Sequence, residues 1–434
     1  MSEENFDPEQ LAEFLRQLMS QENGLDPEQL AAAAGLANDP KALAELMRQL
    51  QQSLASSSKD VVGGVNWKLA IEQSRKFAAE GAFAVSDAER AAIAQANSIA
   101  ELWLDESTSL PQLTTTPKLI TRELWVGESL PLFQELSQPI ASRMADALTE
   151  NLEQNMPEEL AGMLAGAGGM LRSAGGTIFA MQLGQTLGKL SREVLSGGDL
   201  GLPFFTEQRA VFVPQNINEY AKDLEIPKDQ LLIFLSIREL AHARLFKQSK
   251  WLRDSVVSQI INYASGITID GERMSELADG FDFNDQDRLR EALGNGELLA
   301  DRTEDQKRAL ENIETTLALI EGWVEAVTDE ASKRLPQAST LGEIQRRRRA
   351  SSSPAQATFS TLLGLELRPK RIREAAAMWH AITAAVGAQK RDELWDHPDL
   401  LPTSNDIDNP AGLISKLRDT HDDAMDAELR KLLD

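Results

Sequence analysis

The chain has 434 residues, and its hydrophobic content of 42% is sufficient for the core of one large domain or two ordinary domains. Its formal net charge of −24 argues against a general affinity for nucleic acid or for anionic membranes. Because the sequence contains no cysteine, disulfides and thiolate metal sites are excluded.

The composition also predicts the fold class. Ala, Leu, Glu, Gln and Arg dominate, whereas aromatic residues make up 5% of the chain and tyrosine occurs twice. These frequencies favour helix over sheet, so we expect a mainly α protein. The opening string MSEENFDPEQ lacks the basic and apolar regions of a secretory signal, and we therefore expect a cytoplasmic location.

Residues 1–60 are predicted to form a separate acidic, helical arm. The string DPEQL occurs at residues 7–11 and again at 26–30, and each copy places Asp at a helix N-cap with Pro directly after it. Ser56-Ser57-Ser58 is typical of a linker, which leaves residues 61–434 as the main domain. The arm is either a partner-binding segment or a flexible segment that keeps the protein in solution.

Two helix signals follow in the main domain. Ser86 and Glu89 have the spacing of a capping box, which predicts a helix start. Glycines recur at four-residue spacing in a segment rich in Ala and Met, namely Gly162, Gly166, Gly184 and Gly188. Polar residues such as Arg172 and Lys189 interrupt this segment, so we expect closely packed helices rather than a membrane span.

The β-branched segment AVFVPQNI, residues 210–217, is the best strand candidate. Such a segment either binds a peptide as an added strand or is a short buried connector.

The stretch Asp229–Trp251 is predicted to be a buried helix, because apolar residues fall on more than one of its faces. It contains the string RELAH, which is H-E-x-x-H with arginine at the first position. In the intact motif two histidines one turn apart hold zinc, and the glutamate activates the metal-bound water. Arg238 cannot be a ligand, since a guanidinium stays protonated. Glu239 and His242 keep the remaining positions.

A second interior carboxylate is predicted in the helix of residues 309–328. Glu321 lies within an apolar stripe that includes Leu317 and Val324. Burial of a carboxylate is costly unless a cation or a hydrogen-bond donor lies beside it. We therefore expect a cation or a hydrogen-bond donor beside Glu321.

Further along, Arg346–Arg349 is followed by the string ASSSP. This combination predicts a basic, mobile loop at about residues 345–358.

Several long strings together resemble a known family. They are AELWLDESTSLP, LGQTLGKLSREVLSG, RELAHARLF, YASGITID, ALIEGWVEAV, LLGLELRPKRIREAAAMW and RDELWDHPDLLP. The chain resembles the bacterial, mainly actinobacterial, zincin-like hydrolases or zinc-dependent metallopeptidases, from Val65 onward. The resemblance implies a zincin-like multi-helix domain in which His242 is a zinc ligand, Glu239 the general base and Glu321 the third ligand. Arg238 departs from the family's zinc-binding pattern.

Two hypotheses for function follow. In the first, the metal site is degenerate, no zinc is bound, and the protein acts as a scaffold or interaction protein for a protein or peptide partner. Arg238 would then replace the metal's charge by pairing with Glu321 or Glu239. In the second, the protein is an active metal-dependent hydrolase or peptidase with a carboxylate-rich ligand set that includes Glu325. A nucleic-acid binder is disfavoured by the overall charge.

Overall fold

The computed structural model describes the greater part of the chain from residue 61 onward. The described residues are 61–62, 65–155, 176–177, 179–205, 207, 209–267, 270, 300–350 and 371–419. The chain divides into two units, Met1–Val61 and Val62–Asp434. The predicted arm, residues 1–60, lies outside the described residues.

The described part of the chain is mainly α, as the composition predicts. Its helices are α1 (Trp67–Ala79), α2 (Asp87–Asp105), α3 (Arg122–Asn155), α4 (residues 179–191), α5 (Pro214–Lys222), α6 (Lys228–Gln248), α7 (Lys250–Ser265), α8 (Glu304–Ala331), α9 (Ala338–Ala350), α10 (Ile372–Glu393), α11 (Ser404–Asp408) and α12 (Pro410–Asp419). Short 3-10 helices lie at Ser332–Arg334 and Pro398–Leu400. The strands have two residues each and are β1 (Val61–Val62), β2 (Val65–Asn66), β3 (Lys118–Leu119) and β4 (Val211–Phe212). None of the described helices is long and apolar enough to cross a membrane.

Helix α6 lies in the interior, as its sequence predicts. It packs against α2, α8 and α9, and α8 packs in turn against α10. Residues on all sides of α6 are buried, including Phe234, Ile237 and Leu245. Polar side chains of α6 therefore lie away from solvent and need partners within the protein.

Local signals set the helix starts. Ser86 and Glu89 form the predicted capping box, in which the serine hydroxyl accepts the Glu89 N–H and the glutamate accepts the Ser86 N–H. Thr303 and Gln306 form a second capping box at the start of α8.

The predicted close approach of glycine-bearing helices is confirmed for two of the four glycines. A β-carbon on Gly184 would lie 2.7 Å from Cβ of Gln73, and one on Gly188 would lie 2.4 Å from Cβ of Phe77. Glycine at both positions thus allows α4 to pack directly on α1. Gly162 and Gly166 lie outside the described residues.

The strand prediction for residues 210–217 is correct for Val211–Phe212 but wrong beyond Phe212. Pro214 is the first residue of α5, because proline fits the first helical position, where no N–H is needed. Strand β4 pairs in parallel with β3, and Phe212 also bridges in antiparallel to Ser196. Both edges of this strand are therefore occupied by the chain itself.

The prediction of a loop starting at about residue 345 is wrong for residues 345–350, which form the last turns of α9. Arginine is a good helix former, and Arg346–Arg349 contact acidic groups of neighbouring elements and of α9 itself. The remainder of the predicted loop, residues 351–358, lies outside the described residues.

Candidate active site

Glu239 projects from the middle of α6 and is 2% exposed. Its two carboxylate oxygens each accept a backbone N–H, at 2.8 Å from Gly198 and at 2.7 Å from Val211. Burial raises the pKa of Glu239 to about 7, although these two N–H groups act in the opposite direction. The carboxyl thus titrates near neutrality, but each of its oxygens already accepts a hydrogen bond from the backbone.

His242 lies one turn further along α6. Its ring is 4.7 Å from the ring of Phe246, and burial lowers the pKa of His242 to about 4, so the imidazole is neutral at pH 7. The ring is hydrogen-bonded to the backbone of Gly201. Its Nε2 atom is buried and has no hydrogen-bond partner among the described residues. A neutral imidazole with a free lone pair is a potential metal ligand.

Glu321 comes from α8 and is also 2% exposed. Its Oε2 atom lies 3.2 Å from Nη2 of Arg238 and also accepts a hydrogen bond from Nη1 of Arg349. Its Oε1 atom is buried and has no hydrogen-bond partner within the described part of the chain. Arg238 therefore contacts Glu321, one of its two expected partners, through one nitrogen rather than the two of a bidentate pair, and a second arginine shares the carboxylate.

A glycine-rich segment, residues 196–201, lies across these three side chains, and we call it the glycine turn. Each of its three glycines is so close to one of the site residues that a β-carbon would be under 3.0 Å from it. Such a β-carbon would lie 2.9 Å from Oε1 of Glu239 at Gly197, 2.5 Å from Cγ of His242 at Gly198 and 2.6 Å from Oε1 of Glu321 at Gly201. Gly201 has a φ of +72°, which residues with a β-carbon rarely adopt.

Asp199 anchors the glycine turn to the end of α9. Its two carboxylate oxygens each accept a guanidinium N–H of Arg348 at 2.7 Å, and one of them also accepts the Leu195 N–H at 2.9 Å. Burial alone would raise the pKa of Asp199, but Arg348 and the Leu195 N–H lower it to about 2. Arg349 donates to the backbone carbonyl of Asp199 at 2.9 Å.

The structure thus brings together Arg238, Glu239, His242 and Glu321, all of which the sequence indicates. Glu325, the fourth ligand of the alternative set, lies 3.1 Å from Nη1 of Arg346. Sequence reasoning missed the glycine turn, Asp199, Arg348 and Arg349. The sequence features that could have indicated these residues are the closely spaced glycines after α4 and the run of four arginines. Neither feature indicates which distant residues it contacts.

The described residues do not assemble a zinc site of three protein ligands. No group of three His, Asp or Glu side chains that could hold a metal occurs among the described residues. Of the expected ligands, His242 Nε2 and Glu321 Oε1 are buried without a hydrogen-bond partner among the described residues, while each oxygen of Glu239 accepts a backbone N–H. A structural or catalytic zinc needs at least three protein ligands.

Comparison with known proteins places the chain in a family. The family model described as zincin-like metallopeptidase matches residues 65–414. The chain belongs to this family. No curated protein matches the chain.

A solved structure has the same fold as this zincin-like protein. It is described as the crystal structure of a putative hydrolase with a novel fold from Chloroflexus aurantiacus. The two chains are 20% identical with a TM-score of 0.55, and the match covers 82% of this chain and 99% of the other. At that identity the likeness supports the fold and carries no argument about activity.

Proposed function

We propose that this zincin-like protein has a degenerate site in which arginine replaces the metal, and that it acts as a scaffold or interaction protein with little or no peptidase activity. The observation that carries the proposal is the pairing of Glu321, the expected third zinc ligand, with Arg238 and Arg349. The resemblance to actinobacterial hydrolases and the cytoplasmic location stay predictions.

The charge balance of the site supports this proposal. A zinc ion would bring two positive charges close to Glu321, and the two guanidinium groups bring the same number. A divalent cation added to this site would be repelled by the two guanidinium groups, and no further carboxylate among the described residues would balance its charge. The general base of a zincin must also reach a water molecule, and backbone N–H groups already take one of the two acceptor sites on each oxygen of Glu239.

A partner for such a protein would be a protein or peptide. The net charge of −24 disfavours nucleic acid and anionic membranes. The arginines at the end of α9 that could form a basic patch are instead paired with acidic groups.

Metal analysis of protein purified without added zinc, and again after zinc soaking, tests the proposal. We expect less than one equivalent of metal in both samples. Arg238→His alone restores the motif but leaves Arg349 on Glu321, so we expect it to bind zinc more weakly than the double variant Arg238→His with Arg349→Gln. Arg347→Gln is the matched control, because Arg347 contacts Glu343 on its own helix.

Stoichiometric metal in the wild-type protein that is lost on His242→Ala would contradict the proposal. That outcome would support the second candidate, a hydrolase whose altered ligands are Glu239, His242, Glu321 and Glu325. Two observations favour this candidate, namely the unpartnered His242 Nε2 and Glu321 Oε1 atoms. Carboxylate-rich sites also accept manganese or iron, so both metals belong in the soaking series.

A further inference from the structure

The geometry points to the glycine turn as a built-in plug of the candidate active site, with the Arg348–Asp199 ion pair as the latch that holds it closed. This autoinhibitory contact controls access to His242 whether or not the site binds metal, so it goes beyond the proposed function.

The glycine turn and the residue before it pair with one edge of β4. In β-augmentation, a bound peptide adds a strand to a free sheet edge through backbone hydrogen bonds. Here the chain supplies that strand, because Val213 N–H donates to Leu195 at 3.0 Å and Gly197 N–H donates to Val211 at 2.9 Å. The opposite edge of β4 is taken by β3. A peptide could therefore pair with β4 on this edge only after residues 195–197 had moved.

The turn also covers the chemical groups beneath it. The backbone N–H of Gly198 donates a hydrogen bond to one oxygen of Glu239, and Gly198 also packs on the ring of His242. Gly201 lies on the free oxygen of Glu321. Since the three glycines have no side chains, the backbone fills the space above all three groups at contact distance.

The latch joins the turn to a helix far away in the sequence. Arg348 donates two bonds of 2.7 Å to Asp199 and a third of 2.8 Å to the carbonyl of Glu193, just before the turn. The Asp199 side chain is 3% exposed, whereas that of Arg348 is 23% exposed, so the arginine end can be reached from solvent. Bidentate pairs of this kind fix geometry as well as contributing energy.

Chemical modification of His242 tests the plug directly. Diethyl pyrocarbonate reacts with neutral imidazoles that it can reach, and mass spectrometry of peptides gives the rate at each histidine. The side chains of His380 and His397 are 44% and 62% exposed and serve as internal references. In the wild-type protein we expect His242 to react much more slowly than either reference, because its modification requires the turn to open.

Loss of the latch should speed this reaction. Removing a hydrogen bond to a charged group changes an opening equilibrium by roughly tenfold or more, so Arg348→Gln and Asp199→Asn should raise the rate at His242 by about that factor. The rates at His380 and His397 should not change. Arg347→Gln removes a neighbouring charge that does not contact the turn, and we expect it to leave the rate at His242 unchanged.

The result that overturns the inference is a folded Arg348→Gln protein, judged by circular dichroism, in which His242 reacts as slowly as in the wild type. Equal rates at His242 and His380 in the wild-type protein would overturn it as well. If Asp199→Asn fails to fold, Arg348→Gln carries the test, because its side chain lies nearer the surface. Both measurements are made after treatment with a chelator, because a metal on Nε2 of His242 would itself block modification. Metal found in the untreated wild-type protein would then contradict the proposed function and leave this inference standing.

Discussion

Glu321 is the single carboxylate on which two arginines of the site converge, and its removal should be costly. Glu321→Ala leaves Arg238 and Arg349 close together and largely buried without their anion. We expect the free energy of unfolding to fall by about 3 to 5 kcal/mol, the range found when one partner of a buried ion pair is removed. Urea unfolding followed by tryptophan fluorescence measures the change.

Glu330→Gln is the control for Glu321→Ala. Glu330 lies on the same helix and pairs with Lys333 at the surface. Exposed pairs of this kind contribute little, so the control should lie within about 0.5 kcal/mol of the wild type. An equally small effect of Glu321→Ala would mean that solvent reaches the carboxylate and that the arginines do not depend on it.

At single residues, helical periodicity predicted which polar side chains are buried but not all of their partners. It placed Glu239, His242 and Glu321 in the interior, where they are found. The position of Arg238 in the motif, rather than periodicity, predicts its pairing with Glu321 or Glu239, and Arg238 contacts Glu321 at 3.2 Å. Arg349 was missed, because its approach to Glu321 depends on how α9 packs and no local pattern reports that. The role of Arg238 in replacing a metal stays a prediction.

Between elements, the contact of α4 with α1 gives a sharp prediction. A β-carbon on Gly188 would lie 2.4 Å from Cβ of Phe77, so Gly188→Ala forces the two helices apart. We expect a loss of about 1 to 3 kcal/mol, as for other overpacked interiors, measured by thermal or urea unfolding. Gly412→Ala in α12 is the control, since a β-carbon there would have nothing within 4 Å of it. That variant should be unchanged or more stable by up to about 1 kcal/mol, because alanine is the better helix former.

The latch between the glycine turn and α9 makes stability depend on pH. The pKa of Asp199 is lowered from 3.8 to about 2, so the folded state favours its charged form. The resulting stabilisation is fully present above pH 4 and is lost as the pH falls through about 2, with a size of about 2 kcal/mol. Acid unfolding should show this loss in the wild type and a smaller loss in Asp199→Asn. Equal acid profiles for the two proteins would contradict the pairing.

Element types were largely predictable, whereas element ends were less so. The Ser86 capping box and the interior helix α6 follow from local patterns and are confirmed. Pro214 was interpreted as the end of a strand, although proline is equally suited to begin a helix. The arginine run followed by ASSSP predicts a loop, because Arg348 and Arg349 have partners only after α9 has packed against the rest of the domain.

For the whole molecule, the family and the mainly α fold could be predicted from the sequence, but the closed state of the site could not. The glycine turn meets Glu239, His242 and Glu321, which lie on two helices well downstream in the chain. The spacing of residues within one helix or strand predicts which of them share a face. It carries no information about contacts between residues that are far apart in the sequence. The glycines in this sequence therefore indicate that the backbone packs closely against another part of the chain, but not against which residues.

The unit Val62–Asp434 contains a hydrophobic core of its own, which begins at Val65 and Trp67. We therefore expect that deletion of residues 1–60 leaves the midpoint of thermal unfolding within about 4 °C of that of the full chain. A change of about 1 kcal/mol in the free energy of unfolding shifts the midpoint of a large domain by only a few degrees. Deletion of residues 1–70 is the matched control, because it also removes Val65, Trp67 and Ala70, which are buried. That longer deletion should lower the midpoint much further, as truncation of large core side chains commonly costs about 3 to 5 kcal/mol. Aggregation of the shorter deletion would show instead that residues 1–60 cover apolar surface of the main domain, and the arm would then have to be regarded as part of its fold.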